Sequence, residues 1–175
     1  MRSTCVFTLA LAVITAPLSA AVAQETKPAP SKPAAAKPAP ETKGAASGSP
    51  RVIEIVGTDD MKFNVKTISA KRGEQLRVRL TSKGTMPKIA MAHNFVLLKP
   101  GTSQLKFVEA AAQARATDFI PPDMKGQVLA ATALAGPGET VEVTFKVPAA
   151  AGTYPFVCAF PGHFAAGMVG TLVVK

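Results

Sequence analysis

The chain has 175 residues, 47% of them hydrophobic, and a formal charge of +9 from 20 Lys and Arg against 11 Asp and Glu. This length holds one domain of ordinary size with chain to spare, which excludes a large multidomain enzyme and a polytopic membrane protein. The hydrophobic content excludes a wholly disordered chain, while the charge raises nucleic acid as a partner class to be tested.

The first 23 residues read as an export signal. Arg2 is a short positive flank, residues 6–16 are an apolar run too short to span a bilayer comfortably, and Ala21-Val22-Ala23 is a small-residue cleavage site before Gln24. The reading places the mature protein in the periplasm. Cys5 precedes the apolar run and leaves with the leader, so Cys158 is the one cysteine of the mature chain and an internal disulfide is excluded. A lone thiol in an oxidising compartment is exposed to oxidation unless it is buried, catalytic or metal-bound. Residues 24–50, QETKPAPSKPAAAKPAPETKGAASGSP, lack the bulky apolar groups needed for a core. They read as a semi-extended tether with polyproline II character.

From Arg51 the texture becomes that of short strands. Val52, Ile53, Ile55 and Val56 form a run ended by Gly57, and Phe63, Val65 and Ile68 form a second stretch before the turn Lys71-Arg72-Gly73. Residues 75–80 alternate, with Leu76, Val78 and Leu80 on one face. Residues 93–98 form a strand opened by His93 and stopped by Pro100-Gly101. Residues 103–116 are the one clear helix, with Leu105, Val108 and Ala112 at helical spacing, and Pro121-Pro122 forbids its continuation. Strands follow at 128–134, 140–147, 153–158 and 168–174. Short strands at regular spacing with Gly and Pro turns predict an all-β sandwich or barrel interrupted by one helical insertion.

One loop carries the chemistry. Cys158, His163 and Met168 stand five residues apart between the last two strands, and His93, the other of only two histidines, lies upstream. A thiolate, two imidazoles and a thioether are the donor set of a trigonal copper site with a long axial Met. Period-two alternation puts Tyr154, Phe156 and Cys158 on one face, so the sulfur points into the interior at the strand end. Pro161-Gly162 turns His163 back over the same point, and Gly167 frees the bend that brings in Met168. Taken singly, a buried Cys, a core Met and a structural His are each the commoner role. The four residues in this spacing favour copper. Structural zinc is disfavoured because Met is a poor zinc ligand. A binuclear copper centre needs two bridging cysteines.

These segments resemble the cupredoxins, and within them azurin and auracyanin, over residues 51–175. The likeness is carried by Met91-Ala92-His93-Asn94-Phe95-Val96-Leu97, by Asp118-Phe119-Ile120-Pro121-Pro122-Asp123, by Leu134-Ala135-Gly136-Pro137-Gly138-Glu139 and by residues 154–174. The resemblance implies a Greek-key β-sandwich of about eight strands. It implies one copper per chain, with His93, Cys158 and His163 equatorial and Met168 axial. Azurins place a Gly carbonyl, a weak axial contact, before the first histidine; that position is Ala92 here. By the same resemblance Asn94 ties the two ligand segments together and donates near the thiolate, and Phe160 packs against the site and excludes water. The loop from His163 to Met168 is one residue longer than in azurin and matches the auracyanin spacing. Azurins have a disulfide near their N-terminus; this mature chain cannot.

The domain from Arg51 holds 15 basic and 9 acidic residues, a net +6, scattered over many strands without a nucleic-acid-binding motif. The charge reads as a solvated surface, or as a field that steers an acidic redox partner. The expected function is a periplasmic mononuclear blue-copper electron carrier, not an enzyme. Its partners would be redox proteins such as a c-type cytochrome, an oxidase or a reductase, with no nucleic acid and no membrane span. His163 is the expected exposed edge through which electrons leave, with Phe164 and its small neighbours as an apolar docking patch. A copper-trafficking protein using the same site, or a thiol hydrolase using Cys158 and His163, are the alternatives.

Overall fold

Alternation alone places residues 75–82. Leu76, Val78, Leu80 and Ser82 are buried, and Arg77 between them is exposed. The computed structural model describes residues 49–175; the expected export signal (1–23) and all but the last two residues of the expected tether (24–50) lie outside them. In chain order the elements are β1 (Arg51–Thr58), β2 (Lys62–Phe63), β3 (Thr67–Ala70), β4 (Gln75–Ser82), β5 (Val96–Leu98), α1 (Gln104–Ala111), β6 (Val128–Ala131), β7 (Thr140–Lys146), β8 (Gly152–Val157) and β9 (Val169–Val174). Two 3-10 turns, Arg115–Thr117 and Pro122–Gln127, lie between α1 and β6.

The strands form two sheets, β2-β1-β4-β7 and β3-β9-β8-β5-β6. β1 pairs parallel with β4 and β3 pairs parallel with β9, while the other pairs are antiparallel. Since β3 lies between β2 and β4 in sequence but in the other sheet, the chain crosses the sandwich and returns. The predicted second stretch is therefore two short strands in opposite sheets, which brings the number of strands among the described residues to nine. The cause is Asn64. Its side-chain Oδ1 accepts from the Val56 N–H at 2.7 Å, in place of a ladder carbonyl, and the chain leaves the β1 edge there.

Ile55, Leu76, Val78 and Leu80 from one sheet meet Ile68, Leu97, Tyr154, Phe156 and Leu172 from the other in the core between them. A second cluster lies on the outer face of the five-stranded sheet, where Phe107, Ala111 and Phe119 cover Val96, Leu98 and Val157. That cover explains why β5 is buried on both faces.

The helix is shorter than its pattern predicted, and a different stripe faces inward. Ser103 caps its start, Phe107 and Ala111 are buried, Leu105 is 55% exposed and Ala112 is exposed. After Ala111 the bonds tighten to i−3, Gln113 N–H to the Ala110 carbonyl and Ala114 N–H to the Ala111 carbonyl. The chain then turns through Asp118 and Phe119, both at positive φ (52° and 60°), to deliver the Phe119 ring to the cluster. Seating Phe119 wins over helix propensity, because its burial outweighs one more exposed turn of Ala and Gln.

Candidate metal centre

Cys158 stands one residue past β8, on the face shared with Tyr154 and Phe156, all three buried. Its N–H donates to the Met168 carbonyl at 3.0 Å, which adds a rung beyond the β8–β9 ladder and closes residues 159–167 into a loop. Inside that loop Met168 N–H donates to the His163 carbonyl (2.9 Å) and Ala166 N–H to the Gly162 carbonyl (3.1 Å). Gly162 and Gly167 take φ of 85° and 91°, left-handed conformations that the tight reversals require.

His93 arrives from the remote segment, but not on a regular strand. It makes a two-bond bridge with Ala135, N–H to carbonyl at 3.0 Å and 2.8 Å, and β5 begins only at Val96. Side chains interrupt the ladder between them. Phe95 N–H donates to Thr132 Oγ1 at 3.0 Å, and Asn94 turns inward. The strand expected over 128–134 stops at Ala131 for the same reason.

His93 Nδ1 and His163 Nδ1 stand 3.2 Å apart, and Cys158 Sγ is 3.4 Å from His163 Nδ1. One donor atom from each of His93, Cys158 and His163 falls within 4.8 Å of the others, and all three residues are buried. Met168 is fully buried, and its tip reaches the same place as the His93 ring. A Cβ on Gly57 would lie 2.7 Å from His93 Cδ2 and 2.9 Å from Met168 Cε. Gly57 is therefore part of the site, a flat backbone floor under two of its side chains. From the sequence alone Gly57 reads only as a strand end. The missed signal is alternation, since Ile53, Ile55 and Gly57 fall on one face of β1.

Asn94 is the cross-link between segments. Its Oδ1 accepts from the Ala159 N–H at 2.8 Å and its Nδ2 donates to the Asp118 carbonyl at 2.9 Å. The amide side chain thus joins the His93 segment to the residue after Cys158, and it also holds the strained Asp118–Phe119 pair. It does not donate to the sulfur. The backbone N–H groups of Asn94 and Phe160 face it instead and favour its ionised form. Phe160 stacks 4.8 Å from the His163 ring and edge-on to Phe119 at 5.1 Å. Ala92 is fully buried beside His93.

Burial sets the charge state of the site without metal. Desolvation pushes the Cys158 thiol up to about 12, against the two backbone N–H donors. Burial and the neighbouring His93 push His163 down to about 4, and burial lowers His93. At neutral pH the donors are a thiol and two uncharged imidazoles. The two ring Nδ1 atoms face each other at 3.2 Å, His163 Nδ1 also faces the sulfur at 3.4 Å, and His93 Nε2 is buried without a hydrogen-bond partner among the described residues. These soft and borderline donors fit copper in either oxidation state.

One expectation about the surface changes. His163 is only 2% exposed, so its ring edge is not at the surface; its loop neighbours Pro161, Gly162 and Ala165 are. Phe164 is half-buried beside exposed Ala165, and the loop leading to His93 adds exposed Met86 (43%) and Ile89 (72%).

A two-sheet sandwich that gathers a buried cysteine, two histidines and a methionine at the end of β8 defines a cupredoxin, with copper as its cofactor. The sequence profile of "Copper binding proteins, plastocyanin/azurin family" matches residues 51–175. The azurin of Pseudomonas aeruginosa is 37% identical over 126 residues, 70% of this chain and 84% of that one. Auracyanin-B of Chloroflexus aurantiacus is 37% identical over 117 residues, 66% of this chain and 48% of its own length. Among solved structures, auracyanin A, a "blue" copper protein from the green thermophilic photosynthetic bacterium Chloroflexus aurantiacus, matches with a TM-score of 0.64 at 33% identity. That match covers 73% of this chain and 100% of the other. The chain belongs to the plastocyanin/azurin family of copper-binding proteins, whose blue copper members carry electrons.

Proposed function

We propose that this protein is a periplasmic one-electron carrier, exported by residues 1–23 and tethered by residues 24–50. Its domain, residues 51–175, holds one copper through His93, Cys158, His163 and Met168. The observation that carries the reading is the buried convergence of three donor atoms within 4.8 Å on an already hydrogen-bonded frame. When bound, copper supplies one-electron exchange between Cu(I) and Cu(II).

The chain's own residues keep that exchange from needing ligand movement. The Cys158–Met168 rung and the Asn94–Ala159 bond hold the two ligand segments in register. Gly57 sets the depth of His93 and Met168, and the Phe160 ring shields His163 from water. Electrons leave on the His163 side, where the ring lies under its own exposed loop. The partners are redox proteins of the c-type cytochrome, oxidase or reductase kind. Arg51, Arg79 and Lys88 are matched by Glu74, by Glu54 and Glu142, and by Glu139. With Arg77 also 4.0 Å from Glu142, the outer face of β4 is balanced, and the positive excess lies on scattered lysines and on Arg72 and Arg115, which suits an acidic redox partner better than a nucleic-acid track.

The reading is tested by spectrum and voltammetry of the copper-loaded chain. An intense visible band, a reversible one-electron wave and slow copper loss to a chelator are expected. A colourless protein with freely exchanging copper overturns it in favour of copper delivery.

Copper uptake should also release protons in a defined pattern. At pH 7 both imidazoles are neutral and only the Cys158 thiol must ionise, so uptake releases one proton. Affinity then falls about tenfold per pH unit as the pH drops. Near pH 4 His163 becomes protonated in the metal-free chain, and release rises toward two. Calorimetry in buffers of different ionisation enthalpy counts these protons. No release at pH 7 excludes Cys158 as a ligand.

A further inference from the structure

Residues 62–66 pass beside the metal loop, and two lysines there reach its backbone. Lys66 Nζ donates to the Gly167 carbonyl at 2.7 Å and lies 3.3 Å from the Val169 carbonyl, the two residues that flank Met168. The Lys66 carbonyl accepts from the Thr171 N–H at 2.9 Å, so this residue is fastened at both ends to the segment that carries Met168. Lys62 Nζ reaches only the Ala166 carbonyl, at 3.5 Å. An ammonium is a three-donor cation, and its bonds to carbonyls are stronger than neutral ones.

We propose that Lys66 is a positioning residue for Met168 and that its charge favours the reduced site. The inference rests on the copper electron-transfer reading above. By holding the carbonyls on both sides of Met168, Lys66 fixes the backbone from which the thioether approaches. Met168 N–H and carbonyl are already committed to His163 and Cys158, so these bonds complete the restraint of that turn. A fixed cation on the ligand loop opposes the higher positive charge of the oxidised ion more than that of the reduced one. Lys66 is exposed, so water and salt reduce this electrostatic part. The positioning part does not depend on salt.

The test uses the full chain as Lys66→Met, Lys66→Arg and, for comparison, Lys62→Met. In Lys66→Met the equilibrium between reduced and oxidised protein against a redox mediator should move about two- to five-fold toward oxidised at low salt, by the usual size of an exposed charge interaction. The visible band and the copper EPR splitting should change with it, and part of the effect should persist at roughly 1 M salt, where charge is screened. In the metal-free chain the Met168 amide should exchange hydrogen faster. Lys66→Arg should restore the parent values, and Lys62→Met should change them less than Lys66→Met does. Parent-like equilibrium, spectra and Met168 exchange in Lys66→Met overturn the proposal. A shift that vanishes in salt with unchanged spectra and exchange also overturns the positioning role, since a bare surface charge gives that result. A parent protein without a blue band overturns the copper electron-transfer reading instead, and amide exchange still tests the clasp.

Discussion

Cys158→Ser is expected to erase the intense visible band and the reversible one-electron wave, while the protein stays folded. The band depends on a sulfur donor bound to copper, and a serine hydroxyl neither ionises at neutral pH nor offers a soft, polarisable atom. The substitution is nearly isosteric in a fully buried place. The backbone N–H groups of Asn94 and Phe160 that face the sulfur remain available to a hydroxyl oxygen. The cost in stability of the metal-free chain should therefore be small, about 1 kcal/mol. Absorption and EPR spectra of the copper-loaded variant read the first effect, and urea unfolding of the metal-free variant reads the second. Copper uptake at pH 7 should also stop releasing the thiol proton. A variant that binds copper and colours as the parent does rules Cys158 out as the thiolate ligand.

The second large effect lies in the core. Phe156→Ala should lower stability by about 3–5 kcal/mol, the usual cost of emptying an aromatic site that cannot collapse. Phe156 is fully buried between Phe63 and Phe95, with ring centroids 5.7 Å and 5.0 Å away. Its ring lies over Gly170 on β9, so both sheets and the strand that follows Met168 meet at it. Phe156→Leu should cost less than half as much, because most of the volume is kept. Since Phe156 precedes Cys158 by two residues on the same face, the alanine variant should also show a broader and weaker visible band. Urea unfolding with an unchanged slope measures the first effect. A loss below about 1 kcal/mol would mean that the site collapses freely around the missing ring.

Much of the site was legible before any fold was known, because donor chemistry belongs to the side chain itself. One Cys, two His and a Met in a short loop and one remote segment are a copper donor set wherever the chain places them. The inward face of β4 and the Tyr154, Phe156, Cys158 face of β8 were legible too, because alternation is a property of neighbours two residues apart. The helix was legible in existence but not in extent or facing. Leu105 and Ala112 have good helical spacing, yet Phe107 and Ala111 are the residues that meet the sheet.

The rest depended on residues distant in sequence. His93 and His163 are 70 positions apart, Asn94 and Ala159 are 65, and Lys66 and Gly167 are 101. Nothing local to Asn64 says that its side chain ends one sheet and sends β3 to the other. Nothing local to Asn94 says that its amide binds Ala159 and Asp118 and leaves the sulfur to backbone donors. The small neighbours Ala165, Ala166 and Gly167 suggest an exposed His163; folding packs it under that loop against Phe160 and His93. By itself the sequence determined the strand faces and the kind of metal the donors suit, since both follow from side-chain chemistry and spacing within one segment. Only the tertiary structure decided which backbone floor, cross-link and lysine hold those donors in place, because those are contacts between segments that meet only when the sandwich closes.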